Sequence, residues 1–317
     1  MRVFFTILII IATALSVCAQ REGNSEQTRQ ALLKTPVNTE ISPMGTDRSH
    51  QGTPGIDTAS GDAYVDPSSP YFTLIDEAEE AVAQSRWNDA ARALKAAMRV
   101  EPGHPTNILL MSNLGMIYFH AGADSLALEM LNAAHNMAPT VIPVLQNRAR
   151  VLAVIGREDD AFDDYGRIIE LDSTLTEPTY IHGMIALRKG LYDIAESDFK
   201  RLERLEPDGT NTLNGLSGLY RNTLRFKEAL PYLDRLIERE PESYNYSARA
   251  VCRLFTDDLN GASEDIAEGL RLDPDDGELY LYRSLLNRAR YRFDDARRDA
   301  DRAITLGISP SRIPPMK

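Results

Sequence analysis

The chain is poor in the residues that staple folds or carry chemistry. Its 317 residues include two cysteines, five histidines and one tryptophan. Cys18 falls in an apolar leader, so cleavage after that leader leaves Cys252 alone and no internal disulfide can form. His50, His104, His120, His135 and His182 are scattered, without the pairing that sets two metal ligands on one helical face. His-Glu-x-x-His, Cys-x-x-Cys, Gly-x-Ser-x-Gly and a phosphate-cradling glycine loop are all missing, so no catalytic constellation, metal or cofactor is implied. Basic runs are missing too, and a formal net charge of −12 opposes a nucleic-acid partner. After the leader no apolar stretch approaches the roughly 20 residues of a membrane span.

What the chain does have is a period. Alanine followed twelve positions later by proline returns about every 34 residues. The pairs are Ala90 and Pro102, Ala127 and Pro139, Ala195 and Pro207, Ala229 and Pro241, and Ala262 and Pro274. Ala161 and Ala296 continue the series, with Ser173 and Ile308 where proline would stand. Each unit divides into two apolar-periodic stretches that meet at a break, which predicts a helical hairpin. In the second unit Leu114, Gly115 and Tyr118 precede a break at Gly122, and Ala127, Leu131 and Ala134 follow at helical spacing. Small residues let helices cross closely, so Gly115 and Ala127 are expected at a contact. Proline cannot continue the second helix and turns the chain into the next unit.

These residues resemble the tetratricopeptide-repeat family in a secreted, bacterial form. The pattern is Leu-Gly-x-x-Tyr, a mid-unit Gly, Ala, a large apolar residue, Ala and Pro. The third unit offers Ala149, Gly156, Ala161 and Tyr165, and the fourth Gly183, Gly190, Ala195, Phe199 and Pro207. The fifth offers Leu216, Tyr220, Ala229, Leu233 and Pro241, while the first, sixth and seventh are thinner copies. The resemblance implies an all-α, right-handed superhelical solenoid of about seven hairpins over residues 71–308, followed by a tail over 309–317. A single elongated domain is expected.

Arg2, the apolar run Val3 to Leu15 and the small-residue site Val17 to Ala19 form a secretory signal over residues 1–19, with cleavage before Gln20. Leu15 to Cys18 also resemble a lipoprotein box that would leave Cys18 lipidated. Val17 departs from that box, which wants Gly, Ala or Ser before the cysteine, so simple cleavage is preferred. Residues 20–70 are rich in Gln, Thr, Ser, Gly, Pro and Asp and are expected to be a disordered tether. The predicted location is outside the cytoplasmic membrane, in the periplasm or beyond it, with attachment to the outer membrane if Cys18 carries lipid.

Several tempting features have plain explanations. Asp273 to Glu278 differ from a calcium loop because Gly277 comes fifth and Pro274 interrupts, so they are read as a turn with helix-start acids. Asp159 with Asp160, Asp163 with Asp164, and Asp294 with Asp295 are read as solvated faces at helix starts. Cys252 is read as a small packed residue.

Function is then expected on the face that, in the resembling family, the first helices turn inward. Carried over by phase, that face takes in Met116 and Phe119, Tyr180 and Met184, and the polar Asn214. Arg150, Arg188 and Arg221 reverse the sign of an acidic chain there and suit a carboxylate-bearing peptide or protein, unless each pairs with a neighbouring acid. The family's Lys, Asn and Arg clamp for chaperone termini is absent, since Ile75 and Glu79 stand where Lys and Asn are needed. The resemblance implies a non-enzymatic scaffold binding a protein or peptide in the cell envelope. Self-association within an envelope or secretion assembly is the alternative, and an enzyme the rival class.

Overall fold

A computed structural model describes residues 69–313. The leader, Cys18, the tether up to residue 68 and the last four residues of the tail lie outside the described residues. Every regular element among them is helical. Where the sequence reading expects one domain, the described residues fall into two compact units, 69–173 and 174–313.

Residues 69–173 hold α1 (Pro70–Ala83), α2 (Trp87–Val100), α3 (Asn107–His120), α4 (Asp124–Met137), α5 (Ile142–Val154) and α6 (Glu158–Leu171). Residues 174–313 hold α7 (Thr176–Arg188), α8 (Tyr192–Leu205), α9 (Thr210–Asn222), α10 (Phe226–Arg239), α11 (Ser243–Phe255), α12 (Leu259–Leu272), α13 (Gly277–Ala289), α14 (Phe293–Thr305) and a single 3-10 turn, Pro310–Arg312. Odd- and even-numbered helices pair as hairpins, three in the first unit and four in the second. First helices also pack on first helices, as α3 does on α5, α7 on α9 and α11 on α13. Within each unit this makes two layers, one of first and one of second helices.

The period rests on packing. All seven anchor alanines, from Ala90 to Ala296, are fully buried. Each anchor proline lies two residues beyond the end of its second helix, for example Pro207 after Leu205 and Pro241 after Arg239. The seventh hairpin, lacking that proline, ends instead on Gly307 with φ of 98°. Gly115 lies at a crossing as expected, since a Cβ built there would stand 2.6 Å from Leu131 Cγ and 3.1 Å from the Ala127 carbonyl oxygen. Phe199 of α8 fills two such gaps at once. A Cβ on Gly183 of α7 would meet its ring at 2.7 Å, and one on Gly215 of α9 at 2.5 Å. This ring therefore joins its own hairpin to the next.

Every hairpin turn runs through one residue in the left-handed region. Gly122, Gly156 and Gly190 take this place in three hairpins, and Ser85, Leu224, Asp257 and Tyr291 in the other four. The turn closes as a Schellman motif. In the second hairpin Ala123 N donates to Tyr118 O at 2.9 Å and Gly122 N to Phe119 O at 3.0 Å. In the seventh, Arg292 N donates to Asn287 O at 2.8 Å and Tyr291 N to Arg288 O at 3.0 Å. The calcium-like run is instead a linker between two hairpins: Asp276 caps α13, accepting from Glu278 N at 2.9 Å and Leu279 N at 3.2 Å.

Candidate protein-binding face

The first helices of residues 174–313 bring several of the expected contact residues together. Tyr180, Met184 and Arg188 stand at successive turns of α7, and Asn214 and Arg221 follow on α9. All five are half-buried. Tyr180 rests on Phe199 with ring centroids 6.4 Å apart, so the ring that joins two hairpins also supports this face. Gly218 of α9 lies against α7, its Cβ position 3.6 Å from Leu187 Cδ2.

Arg221 is distinctive by its surroundings. Tyr244 of α11, Cys252 of α11 and Tyr282 of α13 surround the guanidinium, and no carboxylate pairs with it among the described residues. Its Nε is cut off from water and makes no hydrogen bond. A guanidinium remains charged at every physiological pH, so this is a half-buried cation set among Tyr244, Cys252 and Tyr282, which are neutral. Tyr244 is half exposed beside it and leaves an approach from solvent.

The remaining expected residues are placed differently. Met116 and Phe119 of α3 are 5% and 3% exposed and pack with Ala127, Leu131 and Val151, so they support their hairpin rather than present a surface. Their repeat phase is that of an inward position, but Leu131 and Val151 of the facing helices close over them. Arg150 is half-buried on α5, in residues 69–173, and is described with that unit.

A second set of charges escaped the sequence reading. In four hairpins a basic residue of the first helix meets an aspartate sixteen positions later on the second. Arg148 Nε donates to Asp164 at 2.7 Å, His182 Nδ1 lies 2.6 Å from Asp198, and Arg249 and Arg283 donate to Asp265 and Asp299, each at 2.6 Å. All four aspartates are buried. The expectation that Asp163 and Asp164 form a solvated face is therefore corrected at Asp164. The constant spacing was the available signal, hidden because the residue on the first helix varies. Such pairs add little net stability, but their geometry is satisfied at a single helix offset, which fixes register.

Cys252 is fully buried, and burial pushes its thiol up to about 12. Alkylation of the folded protein near pH 8 is expected to be about a thousandfold slower than that of an open thiol, and labelling in guanidinium chloride should be complete. Rapid native labelling, followed by mass spectrometry, would refute the packed assignment.

Stacked antiparallel helix pairs, joined by left-handed turns and ended by proline, define a helical-repeat solenoid. The chain carries tetratricopeptide repeats: the tetratricopeptide-repeat family model matches residues 75–140 and 181–244. It is similar to a crystal structure of a tetratricopeptide repeat protein from Parabacteroides merdae, with 26% identity, 77% of this chain and 95% of that one covered, and a TM-score of 0.57. Curated relatives are tetratricopeptide repeat protein 13 of Homo sapiens, 25% identical over 43% of this chain, and DnaJ homolog subfamily C member 3 of Bos taurus, 25% identical over 55%. These matches span only 16% and 38% of the two relatives' lengths. No helix among the described residues is long and apolar enough to cross a membrane.

Proposed function

We propose that residues 174–313 bind a peptide segment of a protein partner across their first helices, with Arg221 meeting a carboxylate of that segment. Arg188 adds charge, and Tyr180 and Met184 supply apolar contact. The observation that carries this reading is the Arg221 guanidinium, held among Tyr244, Cys252 and Tyr282 with no carboxylate of its own. A cation shielded on one side gains more from an anion brought to it than a fully solvated one, because water competes less there. The tetratricopeptide repeats support a scaffold role. Arg150, Met116 and Phe119 are not included in the site.

We place this scaffold in the cell envelope, supported by Arg2, the apolar run Val3 to Leu15 and the small residues Val17 to Ala19. The mass of the native N-terminus tests that placement. A start at Gln20 supports it, acylated Cys18 would replace simple cleavage with lipidation, and intact Met1 would overturn export.

The binding site is tested in cells by a photo-crosslinking residue in place of Tyr244, with the adduct identified by mass spectrometry. Arg221→Leu in that background should remove most of the adduct while leaving melting close to wild type. A charge-assisted contact contributes about 1.5–3 kcal/mol, so affinity should fall roughly 10- to 150-fold. An adduct unchanged by Arg221→Leu would refute the assignment, and an adduct consisting of a second copy of this chain would favour self-association.

A further inference from the structure

The seven hairpins are copies of one unit in one chain, so each turn can be judged against the others. The left-handed residue is glycine in three turns, small or polar in two more, and Leu224 in the fifth hairpin. The seventh turn instead uses Tyr291, with φ of 60° and 82% of its surface exposed. A tyrosine gains nothing in the folded chain from this place: the backbone conformation is unfavourable to a residue with a Cβ, and the ring is left in water. Its one aromatic neighbour among the described residues is Phe293, edge-on at 6.3 Å and itself 48% exposed.

The charges at this tip also depart from the pattern. Arg86, Arg157 and Arg225 hold the next position in their own turns, and each pairs with an acid three residues later, at 3.0, 2.7 and 3.3 Å. Arg292 is their counterpart. The acid it would use, Asp295, is paired with Arg298, and Arg292 stays exposed with no side-chain partner among the described residues. Residues 288–298 carry five arginines against two aspartates, in a chain of net charge −12.

The tip is one end of a row. Arg225 reaches Glu196 at 3.0 Å, Phe226 stacks on Phe255 at 4.7 Å, and Arg290 donates to Leu259 O at 2.9 Å, so the four turns of residues 174–313 abut. Leu191, Tyr192 and Leu224 are exposed along the same edge. A peptide is enclosed by a groove, whereas an edge with exposed rings and a free guanidinium suits a flat anionic surface. We infer that the α13–α14 turn is a membrane-contact tip, in which Tyr291 and Phe293 enter the interface of a bilayer and Arg292 meets anionic lipid headgroups. This contact is separate from the first-helix face and stands or falls without it.

The test uses the full chain carrying Trp87→Phe and Tyr291→Trp, so that the only tryptophan reports from the tip. Adding mixed phosphatidylcholine–phosphatidylglycerol vesicles should shift its emission to the blue and expose it to quenching by brominated lipid. Phosphatidylcholine alone should do neither. Arg292→Gln in this background should weaken partitioning about fivefold, and Arg292→Glu with Phe293→Ser should abolish the shift. Separately, Tyr291→Gly in the otherwise unaltered chain should raise the Tm by about 2–4 °C, because it relieves the backbone. A silent reporter on anionic vesicles, or an equal response in the Arg292→Glu, Phe293→Ser variant, overturns the inference. So does a protein that co-purifies with the wild type and is lost in Tyr291→Gly when vesicles give no response, which would assign the tip to a protein partner.

Discussion

Replacing Phe199 with alanine is expected to destabilise residues 174–313 by about 3–5 kcal/mol, the cost of emptying a large aromatic site that cannot collapse. Collapse is blocked because Gly183 and Gly215 face the ring from two helices and have no side chains to move into the space. The loss should also be visible in the shape of the transition. Repeat arrays hold together through nearest-neighbour contacts, and this ring is one of them between the α7–α8 and α9–α10 hairpins. Urea unfolding followed by circular dichroism should therefore show an earlier and broader transition. A midpoint within error of wild type would mean that the ring is not the joint described. The converse variant, Gly215→Ala, should also destabilise, since its Cβ would lie 2.5 Å from a ring with no room to retreat.

The second large effect is expected at Asp265, which is 1% exposed and receives two guanidinium groups. Arg249 donates to it through Nε and Nη2, and Arg253 Nη1 lies 3.0 Å away. Asp265→Ala leaves both arginines largely buried, although Arg249 keeps Asp234 at 2.7 Å and Arg253 keeps Asp258 at 3.6 Å. Removing one partner of a buried pair costs about 3–5 kcal/mol, and here the remaining acids should limit the loss to the lower end. A double variant, Asp265→Leu with Arg249→Met, should recover much of it, because two apolar groups leave less charge stranded. Thermal melts of the single and double variants decide the matter: if the double variant is no better than the single, an unpaired charge is not the cause.

The fold was legible because its determinants are local and repeated. Ala127 and its six counterparts must be small wherever two helices cross, and the prolines must follow a helix end, so both recur at the unit length. The first-helix face was legible only in part. Phase assigned Tyr180, Met184, Arg188, Asn214 and Arg221 to the first helices of neighbouring hairpins, but it treated every inward position as open. Met116 and Phe119 are instead closed over by Leu131 and Val151, a matter of side-chain volume in facing helices that one strand of sequence does not display. The buried Arg–Asp pairs escaped for a different reason. Their partners sit sixteen residues apart on two helices, and charge near a helix start has a simpler solvated explanation until burial is known. Tyr291 was invisible because nothing in a tyrosine announces a left-handed backbone.

That the register-fixing pairs span sixteen residues, and that the reach of Tyr71 to Asn107 across to the next hairpin spans 36, has a kinetic consequence. Closing short loops is fast and loses little chain entropy, so each hairpin can form as soon as its own two helices exist. A chain delivered end first need not wait for its C-terminus, and a stalled or truncated copy would still present finished hairpins with one uncovered flank. The vulnerable moment in the life of such a chain is thus the interval before the next hairpin arrives, when the last helix formed has a neighbour on one side only.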